Sequence, residues 1–140
     1  MFEQAVGMAV LAASDMERAQ QFWHDVFELD PIRTDEGGAT YIIGGIPVLV
    51  YASQFAGTAK STALTILTDD LDRDMAALRA KGVTFNDYDF GDELKTVDGV
   101  ADFAGERGAW FDDTEGNIIS IAQPAGDAIE QARAMMGART

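Results

Sequence analysis

"SDMERAQQFWHDVFEL", residues 14–29, returns in altered form as "DDLDRDMAALRAKG", residues 69–82. Both stretches follow a short apolar run, and Asp15-Met-Glu-Arg is answered by Asp70-Leu-Asp-Arg 55 residues later. Ser14 and Glu17 stand at capping-box spacing, so the Ser14 hydroxyl is expected to accept from the free amides of a first helical turn. Ala19, Phe22, Val26 and Phe27 recur at helical spacing, which predicts an amphipathic helix over about 15–28. Asp30-Pro31 ends it, because a residue before proline disfavours the helical region. In the second copy, Gly82 is placed to stop the helix in the left-handed conformation.

Strands are expected on either side of these helices. Residues 5–13, "AVGMAVLAA", are small and apolar on both alternating faces, as in a strand covered on both sides. Three strands are predicted near 31–35, 39–44 and 47–53, with Gly37-Gly38 and Gly44-Gly45 as the turns. In the second half, "STALTILT" (61–68), "VTFNDYDF" (83–90), "GAWFDD" (108–113) and "NIISIAQ" (117–123) read as strands, with 92–105 as a long loop or ragged hairpin. Each half is therefore β-α-β-β-β. Roughly 60 residues can hardly bury a sheet alone, so the halves should pair within one chain or by exchange in a dimer. The fold class is α+β: two βαβββ modules, about 1–57 and about 58–125, then a C-terminal helix and tail over 126–140. Asp127 and Glu130 have capping spacing there, and Ile129, Ala132 and Met136 form an apolar stripe suited to core packing or a dimer contact.

Composition narrows the function. The chain has 140 residues, 47% of them apolar, which suffices for a real hydrophobic interior. Without cysteine there is no disulfide, thiolate nucleophile or Cys-zinc site. No apolar run approaches the roughly 18 residues that span a bilayer, and "MFEQAVGMAV" lacks the basic start of a signal peptide, so a cytosolic protein without membrane partners is expected. The net charge of −14 provides no basic footprint for nucleic acid. Ten carboxylates lie between Asp87 and Glu115 against only Lys95 and Arg107, which reads either as attraction for a cationic ligand or as a solvated acidic surface.

With the two helix starts and the closing "WFDDTEGNIISIAQP" (110–124) in hand, residues 5–124 resemble the vicinal oxygen chelate superfamily. That group includes glyoxalase I, extradiol dioxygenases, fosfomycin-resistance enzymes and bleomycin-resistance proteins. The resemblance implies that each module curls a sheet into half of a cleft, and in the enzymes a metal sits on the cleft floor. It also implies where the metal ligands would fall: seven residues before each helix-opening Asp, three after the Gly-Asn turn, and late in the first module. Those positions hold Met8, Ala63, Ser120 and, within a residue or two, Leu49. None is a usual ligand. The chain has a single histidine, His24, read as an exposed helix residue, so a two-His-one-carboxylate site cannot be built within one cleft.

The resemblance then implies an apolar cleft floor without a metal or other cofactor. Met8, Leu49, Ala63 and Ser120 are the candidate ligand-binding residues, joined by Tyr51, Thr65 and Trp110; no catalytic residue is assigned. Phe22 and Trp23 are expected in the core. The leading expectation is a metal-free protein of the bleomycin-resistance type, a homodimer that sequesters a small aromatic or hydrophobic molecule, with a cationic one among the candidates. A second is a lyase, isomerase or dioxygenase of the superfamily with an atypical site, in which Tyr51, Asp112 or Glu115 acts as acid or base. A third is a structural or regulatory subunit whose cleft is filled by its own side chains. There is no G-x-S-x-G elbow, P-loop or H-E-x-x-H, and the glycine pairs read as hairpin turns.

Overall fold

The computed structural model describes residues 1–137, arranged as two compact units. The first comprises residues 1–60 together with the distant turn 113–117; the second comprises 61–112 and 118 onward. Residues 138–140 of the expected C-terminal tail lie outside the described residues.

In the first unit the order is β1 (Ala9–Ala13), α1 (Met16–Phe27), β2 (Arg33–Asp35), β3 (Gly38–Ile43) and β4 (Ile46–Ala52). The sheet runs β1-β4-β3-β2, with β1 parallel to β4 and the other pairs antiparallel. Alternation sends Leu11, Ala13, Tyr41, Val48 and Val50 to the face covered by α1, where Ala19, Phe22 and Trp23 meet them, all buried. The Trp23 and Tyr41 rings lie 6.1 Å apart at that contact, and Phe22 and Trp23, the two aromatic residues expected in the core, are both buried. Gly44 and Gly45 both have positive φ (58° and 84°) and form the two-residue turn that joins Ile43 to its partner Ile46.

The second unit repeats this plan with β5 (Thr62–Leu67), α2 (Leu71–Ala80), β6 (Ala101–Phe103), β7 (Glu106–Asp112) and β8 (Ile118–Gln123). Its sheet runs β5-β8-β7-β6, with β5 parallel to β8. Leu64, Leu71, Met75, Leu78, Phe85, Phe111, Ile119 and Ile121 form the core between this sheet and α2. The helix α3 (Ala128–Gly137) follows and buries Ile129, while Met136 of the expected stripe remains exposed. Asp15 and Asp70 cap their helices alike: each carboxylate accepts from the backbone N–H of the arginine three residues on, at 3.0 Å.

Three expectations need correction. Asp15 caps α1, not Ser14, whose N–H and hydroxyl both donate to Glu115. The first strand begins at Ala9, not residue 5; beyond the Ala9–Val48 pair the next position on β4 is Pro47, which has no N–H to give. Residues 83–90 form no continuous strand: Phe85 bridges to Phe111 of the sheet, and Asp89 bridges to Lys95 outside it. There the Tyr88 N–H donates to the Thr96 hydroxyl instead of a strand partner, an alternative that short polar side chains offer the backbone. The fourth strand of the second sheet comes instead from β6, inside the segment expected as a loop or hairpin.

Candidate functional site

Each sheet has one face on its helix and a second face that the helix does not cover. On the second face of the second sheet, Thr65 pairs with Ser120 and Ser120 with Trp110, which gives one row. Leu67, Ala122 and Gly108 form the next. Ala63 shares this alternation, but the register shift between Thr62 and Leu64 leaves it without a cross-strand partner. The Trp110 ring covers Gly108, where an added Cβ would stand 3.5 Å from the indole, and its Nε1 donates to Thr62 Oγ1 at 3.2 Å. Of the four residues expected here, Ser120 is buried, Trp110 half-buried, and Ala63 and Thr65 exposed.

A wall stands beside Trp110. The Asn86 N–H donates to the Trp110 carbonyl at 2.8 Å, which places residues 86–88 along the free part of β7. Asn86 Nδ2 then donates to Asp112 Oδ1 at 2.9 Å and to the Tyr88 hydroxyl at 3.2 Å. The Tyr88 and Trp110 rings meet at 86° with centroids 5.8 Å apart, and Phe90 stacks on Tyr88 at 5.9 Å. Buried Thr96 fixes the segment: its hydroxyl accepts from Tyr88 N and donates to Asp87 Oδ1, both at 2.8 Å. The Gly99 N–H adds a bond at 2.9 Å, and with Thr96 it holds the Asp87 carboxyl below the ordinary range. Sequence reasoning missed Asn86 and Tyr88. The available signal was the spacing of Asn86, Tyr88 and Phe90 at every second residue.

In the first unit the corresponding face carries Val10, Leu49 and Thr40 in one row, and Ala12 beside Tyr51. Val10 is 51% exposed, Tyr51 is also exposed, and Leu49 is half-buried. Met8 precedes β1 and is exposed, so the structure does not bring it into these rows.

The turn 113–117 is a polar node of the first unit. Glu115, with only 1% of its side chain exposed, accepts from Arg18 Nε at 2.7 Å and from the N–H groups of Ser14 and Asp15 at 3.0 and 2.9 Å. The Arg18 guanidinium, ahead of the opposing effect of burial, lowers the Glu115 carboxyl to about 2. Glu115 is therefore a structural anion, which corrects its candidacy as acid or base. Asp113 Oδ1 accepts from the N–H groups of Glu115 and Asn117, both at 2.9 Å, yet burial outweighs these bonds and pushes its carboxyl up. Asn117 Nδ2 closes the node on the Ala12 carbonyl at 2.8 Å.

Two grooves open elsewhere, of about 600 Å³ beside α2 and about 490 Å³ beside α1. They contain none of the residues expected to bind a ligand, and each holds a charged pair of its own, Arg107 with Asp72 and His24 with Asp30. The Asp30 carboxylate raises the His24 pKa, and the residue is exposed as expected.

The donor chemistry does not fit a catalytic divalent ion. A thioether, two hydrocarbon side chains and a neutral hydroxyl occupy the four expected ligand positions, and none supplies the imidazole or carboxylate such ions take. Among the described residues, no group of three or more His, Cys, Asp or Glu side chains is placed to share a metal.

The family model for the Glyoxalase/Bleomycin resistance protein/Dioxygenase superfamily matches residues 5–121, and the chain belongs to that superfamily. Solved structures agree on the fold. A glyoxalase/bleomycin resistance protein/dioxygenase from Alicyclobacillus acidocaldarius superposes with a TM-score of 0.65 at 14% identity, covering 91% of this chain and 96% of that one. The fosfomycin resistance protein FosX of Listeria monocytogenes gives 0.61 at 12% identity over 86% and 93%. Lactoylglutathione lyase from Agrobacterium tumefaciens gives 0.60 at 18% over 85% and 92%. No curated protein matches the chain. Among the described residues, no helix is long and apolar enough to cross a membrane.

Proposed function

We propose that this member of the superfamily is a metal-free binding protein of the sequestration or resistance type. It takes a small aromatic or hydrophobic molecule on the sheet faces that its helices leave uncovered. The observation that carries the reading is the replacement of every expected metal ligand, by Met8, Leu49, Ala63 and Ser120. Each uncovered face has the chemistry that ligand binding uses, mainly apolar with a few hydroxyls: Leu49 and Tyr51 on the first unit's face, and Ala63, Thr65, Trp110 and Ser120 on the second's. Met8, outside its strand, contributes from the edge. The protein works as a homodimer in the cytoplasm, without a nucleic-acid or membrane partner.

Native mass spectrometry of untagged protein, with elemental analysis of the same sample, tests this. A metal-free dimer that gains mass with small aromatic compounds is expected. One metal per chain would overturn the reading and return the protein to the superfamily's lyases, isomerases or dioxygenases. For such an enzyme, Tyr51 and Asp112 are the acid–base groups that remain.

A further inference from the structure

Building on the binding function proposed above, we propose that the Tyr88–Trp110 corner, with the Asp112 carboxylate that Asn86 holds beside it, selects a flat ring carrying a positive charge. Two aromatic rings at 86° and 5.8 Å leave the corner between them lined by π surface, which attracts a cation's charge as well as its apolar area. Asp112 shares the uncovered face with Trp110, two residues along β7, and the Asn86 amide joins it to the Tyr88 hydroxyl. Asn86 uses one carboxylate oxygen, Oδ1; no hydrogen bond reaches Oδ2 among the described residues. Phe90, 63% exposed and stacked on Tyr88, extends the aromatic surface outward. The Thr96–Asp87–Gly99 bonds keep this wall in place before any ligand arrives, which limits the ordering cost of binding. Asn86 is thus a positioning residue: it touches both elements of the corner and sets the distance between ring and charge.

The choice between charged and neutral rings is where this inference parts from the broader one. Isothermal titration of the full chain with 1-methylquinolinium and with its neutral isostere 1-methylnaphthalene measures it. The cation is expected to bind about ten-fold more tightly, and rising salt should erode that preference without weakening the neutral ring. Asp112→Asn should abolish the preference, the cation losing affinity by a larger factor than the neutral ring. Asn86→Ala should narrow the cation-to-neutral ratio, a readout that loss of stability alone would not move. Equal affinity for the two rings in the unaltered protein, or a preference that survives both salt and Asp112→Asn, would overturn this inference while leaving the binding function intact. If neither ring binds, the binding function fails and the corner's selectivity with it.

Discussion

Arg18 and Glu115 are 97 residues apart in sequence and meet at 2.7 Å, guanidinium on carboxylate, over the start of α1. The carboxylate also receives two backbone N–H groups that the helix start would otherwise leave to solvent. Glu115 thereby takes the amides ahead of the first turn, while Asp15 takes the capping role that the sequence suggests for Ser14. Replacing Glu115 by Ala leaves those donors and the arginine without their acceptor and should cost about 3 kcal/mol. Arg18→Met should destabilise in the same direction by stranding a buried carboxylate. Urea denaturation at neutral pH checks both, with a lower midpoint expected at unchanged slope.

The same contact fixes an acid limit. The Glu115 carboxyl is lowered from 4.5 to about 2 in the folded chain, so its contribution is complete above about 4.5 and disappears as the pH falls toward 2. It amounts to about 2 kcal/mol after allowing for the half-exposed arginine. Asp113 has the opposite sign: burial raises its folded pKa, so protonation favours the folded state as the pH falls. Thermal unfolding from pH 6 to pH 2 should show Glu115→Gln flattening the acid loss, and Asp113→Asn steepening it.

Gly116 has φ +85°, and a Cβ added there would stand 2.7 Å from the Gly57 Cα. Neither backbone can give way without moving the turn that carries Glu115. Gly116→Ala should therefore cost about 2–4 kcal/mol, strain and overlap together. A drop in melting temperature far beyond that of an exposed-loop glycine such as Gly91 is the expected result.

Thr65 lies in the row with Ser120 and Trp110, and its side chain is exposed. Thr65→Trp should fill that row and weaken binding of 1-methylnaphthalene at least about ten-fold, while stability changes by no more than about 1 kcal/mol. Undiminished binding in a folded variant would place the ligand elsewhere.

The fold was legible where local rules and global packing agree. The Asp-x-x-Arg starts at Asp15 and Asp70 declare two helices, and the strand alternation beside them declares two similar sheets. What escaped was set by partners distant in sequence or by competition for backbone donors. Ser14 has every local mark of a cap, and only a carboxylate a hundred residues away draws it off. Residues 83–90 have strand composition, but Thr96 takes the Tyr88 N–H and bends them away. The site divides similarly. Missing metal ligands can be counted in the sequence, whereas the Asn86–Tyr88–Asp112 wall depends on where the segment that carries Asn86 and Tyr88 returns to β7, which its two-residue spacing does not specify.

The excursion of residues 113–117 out of the second unit and into the first has a consequence for synthesis. Chains emerge from the ribosome N-terminus first, so β1 to β4 are complete while their polar keystone is still unmade. Until Asn117 is translated, the Ala12 carbonyl lacks its side-chain donor, Arg18 lacks its anion, and the Ser14 and Asp15 amides lack their acceptor. The first half of this protein is finished by a turn made some sixty residues after its last strand.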